Sequence, residues 1–149
     1  MALITYYDFA EDDYKFFMAA FRENIIGNSL AGMAQNACEK YLKHIVSEYD
    51  ESCNKKENLE KKERILKTHS LQRIMKYVEC DMETEIPKKI YDSLMKIDGY
   101  YFSTRYPGDN SIEVDKRDID NCREALVNCK SYVDDFIKSQ TKKLRVCKD

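Results

Sequence analysis

Apolar residues recur three and four positions apart in several stretches of the chain, the period of helices with one buried face. Tyr14, Phe17, Met18 and Phe21 make the first such face, on a helix expected to be capped by Asp12 or Asp13 and to end near Asn24. Gly27-Asn28-Ser29 breaks the pattern, with Asn28 or Ser29 suited to cap the next start. The second helix is the clearest: Leu30, Met33, Ala34, Ala37, Cys38, Tyr41, Leu42 and Ile45 hold the spacing over four turns. Small residues at Ala31, Gly32, Ala34 and Ala37 let another helix approach closely. Residues 50–67 are charge-rich and predict a loop leading into a short, weakly amphipathic helix over Glu57–Lys67. Thr68-His69-Ser70 opens a third main helix with a Leu71, Ile74, Met75, Val78 stripe. Glu83-Thr84 is suited to cap a fourth, with Pro87 in its first turn and Ile90, Leu94, Ile97 and Tyr101 inward. Asp115 and Asp118 resemble a capping box for a long last helix. Its Ile119, Cys122, Leu126, Cys129, Val133 and Phe136 form a seam suited to a bundle or to dimerisation.

These elements predict an all-α fold: an antiparallel up-and-down helical bundle of four main helices plus a shorter one. One domain over residues 1–149 is expected, with its core at about 12–138 and a basic tail at 142–149 expected to fray. Only 4 Gly and 2 Pro against 35% charged residues agrees with helices and argues against an all-β design. The formal net charge of -2 gives no global footprint for nucleic acid, so an RNA contact needs a local patch. KKENLEKKERILK, with six Lys/Arg against three Glu, is such a patch or simply a solvated face.

No apolar run approaches the roughly 20 residues of a membrane span. The acidic start MALITYYDFAEDD predicts no secretory signal, so a cytoplasmic location is expected. The six cysteines lack a C-x-x-C pair. Cys38, Cys122 and Cys129 read as core positions, and Cys53 and Cys147 as polar-flanked thiols.

The chemistry concentrates in YYFSTRYPGD, residues 100–109, the densest aromatic run. Pro107 ends the helix there and leaves Arg105 among tyrosines with no acidic neighbour. A planar guanidinium so placed suits a phosphate or carboxylate. The alternative is an Arg105–Glu39 ion pair that only locks the turn. His69 either bonds to backbone or lines the same cleft, Lys40 is either solvated or part of the anion site, and His44 reads as an exposed or edge residue.

Three stretches together resemble the HEPN (higher eukaryotes and prokaryotes nucleotide-binding) domain family: MAQNACEKYLKHI, THSLQRIM and the R-Y-P turn of YYFSTRYPGD. REALVNCKSYVDDFI matches the family's final helix, so the resemblance spans roughly residues 12–137. It implies a helical bundle, commonly a homodimer, acting beside a nucleotidyltransferase partner or in toxin–antitoxin and defence systems. Many relatives are metal-independent ribonucleases whose motif is an Arg followed after four to six residues by a His. That His would stand at Asn110, Ser111 or Ile112 and is absent. The resemblance therefore implies a non-catalytic module that binds a nucleotide or RNA without a metal or cofactor. Arg105, Tyr106 and Tyr101 would grip it, with Lys40, Glu39 and His69 beside them and Tyr100 as a further stacking ring. A ribonuclease using Arg105 with His69, and a purely structural interaction protein, are the competing readings.

Overall fold

The computed structural model describes residues 2–51 and 56–148, with side chains as far as 144. Every regular element among them is helical. In chain order these are α1 (Tyr6–Arg22), α2 (Asn28–Tyr49), α3 (Lys56–Lys67), α4 (Leu71–Lys76), α5 (Lys88–Met95), α6 (Tyr100–Ser103) and α7 (Lys116–Lys148). A π-helical turn, Tyr77–Asp81, extends α4. The expected all-α bundle is thus the observed one. Its centre is α2, which packs against α1, α7, α4 and α6. Residues 30–46 of α2 are buried on almost every side, apart from Met33, Asn36 and Lys40.

Several boundaries differ from the expected ones, each for a local reason. α1 starts seven or eight residues early, because Thr5 and not Asp12 or Asp13 is its cap, in a reciprocal capping box with Asp8. This brings Ala10, fully buried, into the core. Asn28 does not cap α2. Its amide instead donates to the Ile112 carbonyl at 2.7 Å and accepts from Val114 N–H at 2.9 Å, tying down the link before α7. The expected fourth helix is two pieces, α5 and the single turn α6. Gly99, at φ +96°, turns the backbone between them into the left-handed region that glycine tolerates. Glu83 does not cap α5 either: it has positive φ, and Pro87 stands at the cap position. Asp115 and Asp118 do form their capping box, with both bonds at 3.0 Å. Beyond residue 137 nothing breaks α7, and the basic tail expected to fray continues as helix to Lys148.

The α7 seam is spent inside the chain. Ile119, Cys122, Leu126, Cys129 and Val133 are buried, and α7 packs on α2 and α5, so these residues serve the bundle and not a dimer. Cys38, Cys122 and Cys129 are unpaired core thiols as expected, and burial pushes Cys122 up to about 12. Cys53 and the Cys147 side chain lie outside the described residues. Among the described residues no helix is long and apolar enough to cross a membrane.

His44 is a correction. It is 9% exposed, lies between the rings of Tyr7 and Tyr49, and its Nδ1 has no hydrogen-bond partner. Burial lowers its pKa, and the carboxylates of Glu48 and Asp8 oppose this only in part. The unfolded chain therefore takes up a proton on His44 at higher pH than the folded one. Stability is lost as pH falls through about 6.5, the unfolded value, towards the lower folded one. Urea unfolding at pH 7.5 and pH 5 should show a larger loss for the native chain than for His44→Gln. Equal losses would exclude this assignment.

Candidate functional site

The site is built on a stripe of small and polar residues along α2: Asn28, Gly32, Gln35, Glu39 and Lys43, spaced three and four apart. That spacing puts all five on one face of the helix. The last four are buried. The segments they receive are the turn before α4 and the end of α6.

Gly32 takes the end of α6. A Cβ there would stand 3.0 Å from Thr104 Oγ1 and 3.2 Å from Arg105 Nε, so its absence lets Arg105 lie against α2. Gln35 is fully buried and ties three segments together. Its amide donates to the His69 carbonyl at 2.7 Å and to Glu39 Oε1 at 3.1 Å, while its Oε1 accepts from Tyr101 N–H at 2.6 Å. Glu39, also fully buried, faces His69 Nδ1 at 3.2 Å and Lys43 Nζ at 3.9 Å through Oε2. Burial pushes the Glu39 carboxyl above the usual range against the pull of Lys43, His69 and Gln35. Burial likewise lowers the Lys43 ammonium, with Glu39 opposing. Both are therefore held nearer neutrality than surface groups, as expected for ionisable groups taken out of water.

A three-layer stack stands over this base. The His69 ring lies on Tyr101 with centroids 3.6 Å apart and planes within 7°. The Arg105 guanidinium carbon is 4.2 Å from the same Tyr101 centroid. Neither group leaves room for the other on one face at these distances, so Tyr101 is sandwiched between imidazole and guanidinium. Stacking of this kind is the cation–π contact that arginine favours. Phe102 packs edge-on against both Tyr101 and His69, and Tyr106 tilts against Phe102. Phe102 and Tyr106 are 57% and 55% exposed, so apolar ring surface is presented to solvent beside the stack. Asp98, in the turn after α5, accepts from Leu71 N–H at 2.8 Å and Gln72 N–H at 3.2 Å. It thereby holds the start of α4 and the His69 turn in place.

The structure brings Arg105, Tyr101, Tyr106, His69 and Glu39 into one neighbourhood. The suggested Arg105–Glu39 ion pair does not form. Glu39 is engaged by His69, Lys43 and Gln35, and the Arg105 side chain has no carboxylate partner among the described residues. Lys40 leaves the group as well. It sits on the opposite flank of α2, paired with Asp13 of α1 at 2.6 Å. Tyr100 turns to α7, where its hydroxyl meets Asp118 at 3.2 Å, and burial pushes its pKa up. Gln35 and Lys43 escaped the sequence reading, although both stand four residues from Glu39, the spacing that makes side chains on a helix neighbours.

The chemistry open to this arrangement is recognition of an anion next to a flat ring. An unpaired guanidinium offers a fork of donors, and two exposed aromatic faces offer stacking. His69 Nε2 makes no hydrogen bond within the described residues. Among those residues no group of His, Cys, Asp and Glu side chains is arranged to hold a metal ion.

Comparison with known proteins gives one family match: the model of the HEPN domain covers residues 6–136. No curated protein and no solved structure matches the chain. The matched span runs from the first turn of α1 into the second half of α7 and contains every residue of the stack and of the α2 stripe. The chain is therefore a member of the HEPN domain family.

Proposed function

We propose that the Arg105 stack is a nucleotide-binding site and that the protein is a non-catalytic HEPN module that binds a nucleotide or RNA. The observation that carries this reading is the state of Arg105. Its guanidinium is pre-positioned on Tyr101 and against Gly32, yet no carboxylate among the described residues pairs with it. In this reading Arg105 takes a phosphate, and Phe102 or Tyr106 stacks on the base. Family membership supports a nucleotide- or RNA-related role in general. Action as a dimer, beside a nucleotidyltransferase or within a toxin–antitoxin or defence pair, is part of the same proposal and rests on that membership alone.

Thermal melts with millimolar ATP or GTP test it. At a tenfold excess over Kd, binding stabilises the native state by about 1.4 kcal/mol, a rise of roughly 3–5 °C in Tm for a chain of this size. Arg105→Ala removes a charge-assisted contact and should weaken binding by about 30-fold, on the order of 2 kcal/mol. An unchanged Tm for the native chain with either nucleotide would refute the nucleotide reading.

One observation favours a second reading, a metal-independent ribonuclease. With Glu39 ionised, His69 Nδ1–H donates to it and leaves Nε2 as a base, the carboxylate–imidazole pairing that orients a general base. His69 thus supplies an imidazole that the Arg105 turn itself lacks. Purified protein incubated with tRNA in EDTA would show cleavage that His69→Ala reduces by roughly 10²-fold or more. No cleavage, or cleavage that survives in His69→Ala, leaves the binding reading alone.

A further inference from the structure

Beside the Arg105 stack lies a second group of cations that the nucleotide reading does not use. Arg64 and Lys67 on α3, and Arg73 and Lys76 on α4, are all exposed, and none has an ion pair among the described residues. They line two cavities. One, of about 400 Å³, holds Arg64, Arg73 and Lys76 along the α3–α4 groove. The other, of about 460 Å³, holds Lys67, His69, Arg73 and Phe102. Thr68 and Arg73 belong to both, so the two cavities adjoin. Their acidic residues are already engaged: Asp81 pairs with Lys61 at 2.5 Å, and Asp98 accepts from the Leu71 and Gln72 N–H groups. A chain of net charge -2 has thus gathered uncompensated positive charge along one groove that ends at exposed aromatic rings.

We propose that the two cavities form one continuous track for single-stranded RNA. Its backbone phosphates lie on Arg64, Arg73 and Lys76, and a base stacks on Phe102 at the Arg105 end. A positively charged groove that tracks a backbone, combined with a stacking platform, is the physical recipe for single-strand binding without sequence preference. The inference rests on the nucleotide reading for its stacking end, and on the α3–α4 cations for the rest.

Fluorescence anisotropy with labelled oligouridylate of 2 and 12 nucleotides tests it. The native chain, Arg64→Glu/Lys76→Glu and Arg105→Ala would be compared, with thermal melts showing that each is folded. Affinity for the 12-mer should exceed that for the 2-mer by at least about tenfold. The double reversal should cost the 12-mer about 30-fold or more and leave ATP binding unchanged. Loss of two phosphate contacts should also flatten the dependence of log K on log salt by about 1.4. Length-independent affinity, or an unaffected double variant, overturns the track. So does displacement of the 12-mer by a blunt duplex or by oligoglutamate as readily as by unlabelled strand. If ATP binds but the 12-mer gains nothing, the track fails and the nucleotide reading stands. If the 12-mer binds and the double variant does not, while ATP has no effect on either, the track stands and the nucleotide reading fails.

Discussion

Gln35→Leu should lower stability by about 3 kcal/mol, although leucine fills a similar volume and favours helix. The side chain is fully buried, and its amide joins the His69 carbonyl, the Glu39 carboxyl and the Tyr101 N–H. Leucine leaves a peptide donor and a peptide acceptor without partners, and each orphaned buried group costs roughly 1–3 kcal/mol. The removal of a burial penalty for the amide itself offsets only part of this. For a domain of this size the Tm should fall by about 6–12 °C. Equilibrium unfolding in urea gives the free energy directly. Amide hydrogen exchange at Tyr101 gives the local part, since its protecting acceptor is gone. A cost under about 1 kcal/mol, with Tyr101 still protected, would show that the α2 stripe does not hold α6. Nucleotide binding should weaken in parallel, because the same bond positions the ring on which Arg105 rests.

Lys130→Ala is expected to be about as damaging, for a different reason. Lys130 projects from α7 to Glu11 at 2.6 Å and Asp134 at 3.0 Å, and lies 5.5–6.0 Å from the ring centres of Tyr7, Tyr14 and Tyr41. Tyr41 donates to Glu11 at 2.7 Å, and Tyr7 donates to Asp134 at 2.6 Å. Burial works against the Lys130 charge, but Glu11, Asp134 and Tyr7 together hold it above the ordinary lysine range. Alanine leaves two carboxylates facing a partly buried space with no cation between them. Breaking a buried pair on one side costs on the order of 3–5 kcal/mol, and partial solvent access brings the expected loss to about 3 kcal/mol. Lys130→Met with Glu11→Gln removes both partners, so the double variant should lose clearly less than the two single losses added. Strict additivity of the two single variants would rule out coupling through this pair. Since Lys130 is held above its unfolded pKa, its stabilisation is present below the unfolded value and fades only as pH rises through the folded one.

Neither of these two residues was singled out by a linear reading. Helix type and number follow from spacing that any segment carries in itself: the α2 stripe, the α7 seam and the Asp115–Asp118 box are local patterns read without a partner. Arg105 and His69 could be singled out because a proline-ended aromatic turn and a cap-like histidine are also local. Gly99 was in plain view as well, whereas the bond from Leu71 N–H to Asp98 beside it joins segments 27 residues apart.

Which carboxylate meets which cation was decided by tertiary packing. Glu39 chose His69 and Lys43 over Arg105, because Gly32 lets the end of α6 slide along α2 until Arg105 lies over Tyr101, away from the carboxyl. Lys40 went to Asp13 because α1 packs along that flank of α2. Lys130 met Glu11 across 119 residues of chain. A sequence dictates local periodicity through backbone geometry and side-chain volume. Charges, by contrast, pair through space, and a difference of one turn in where two helices meet selects a different partner.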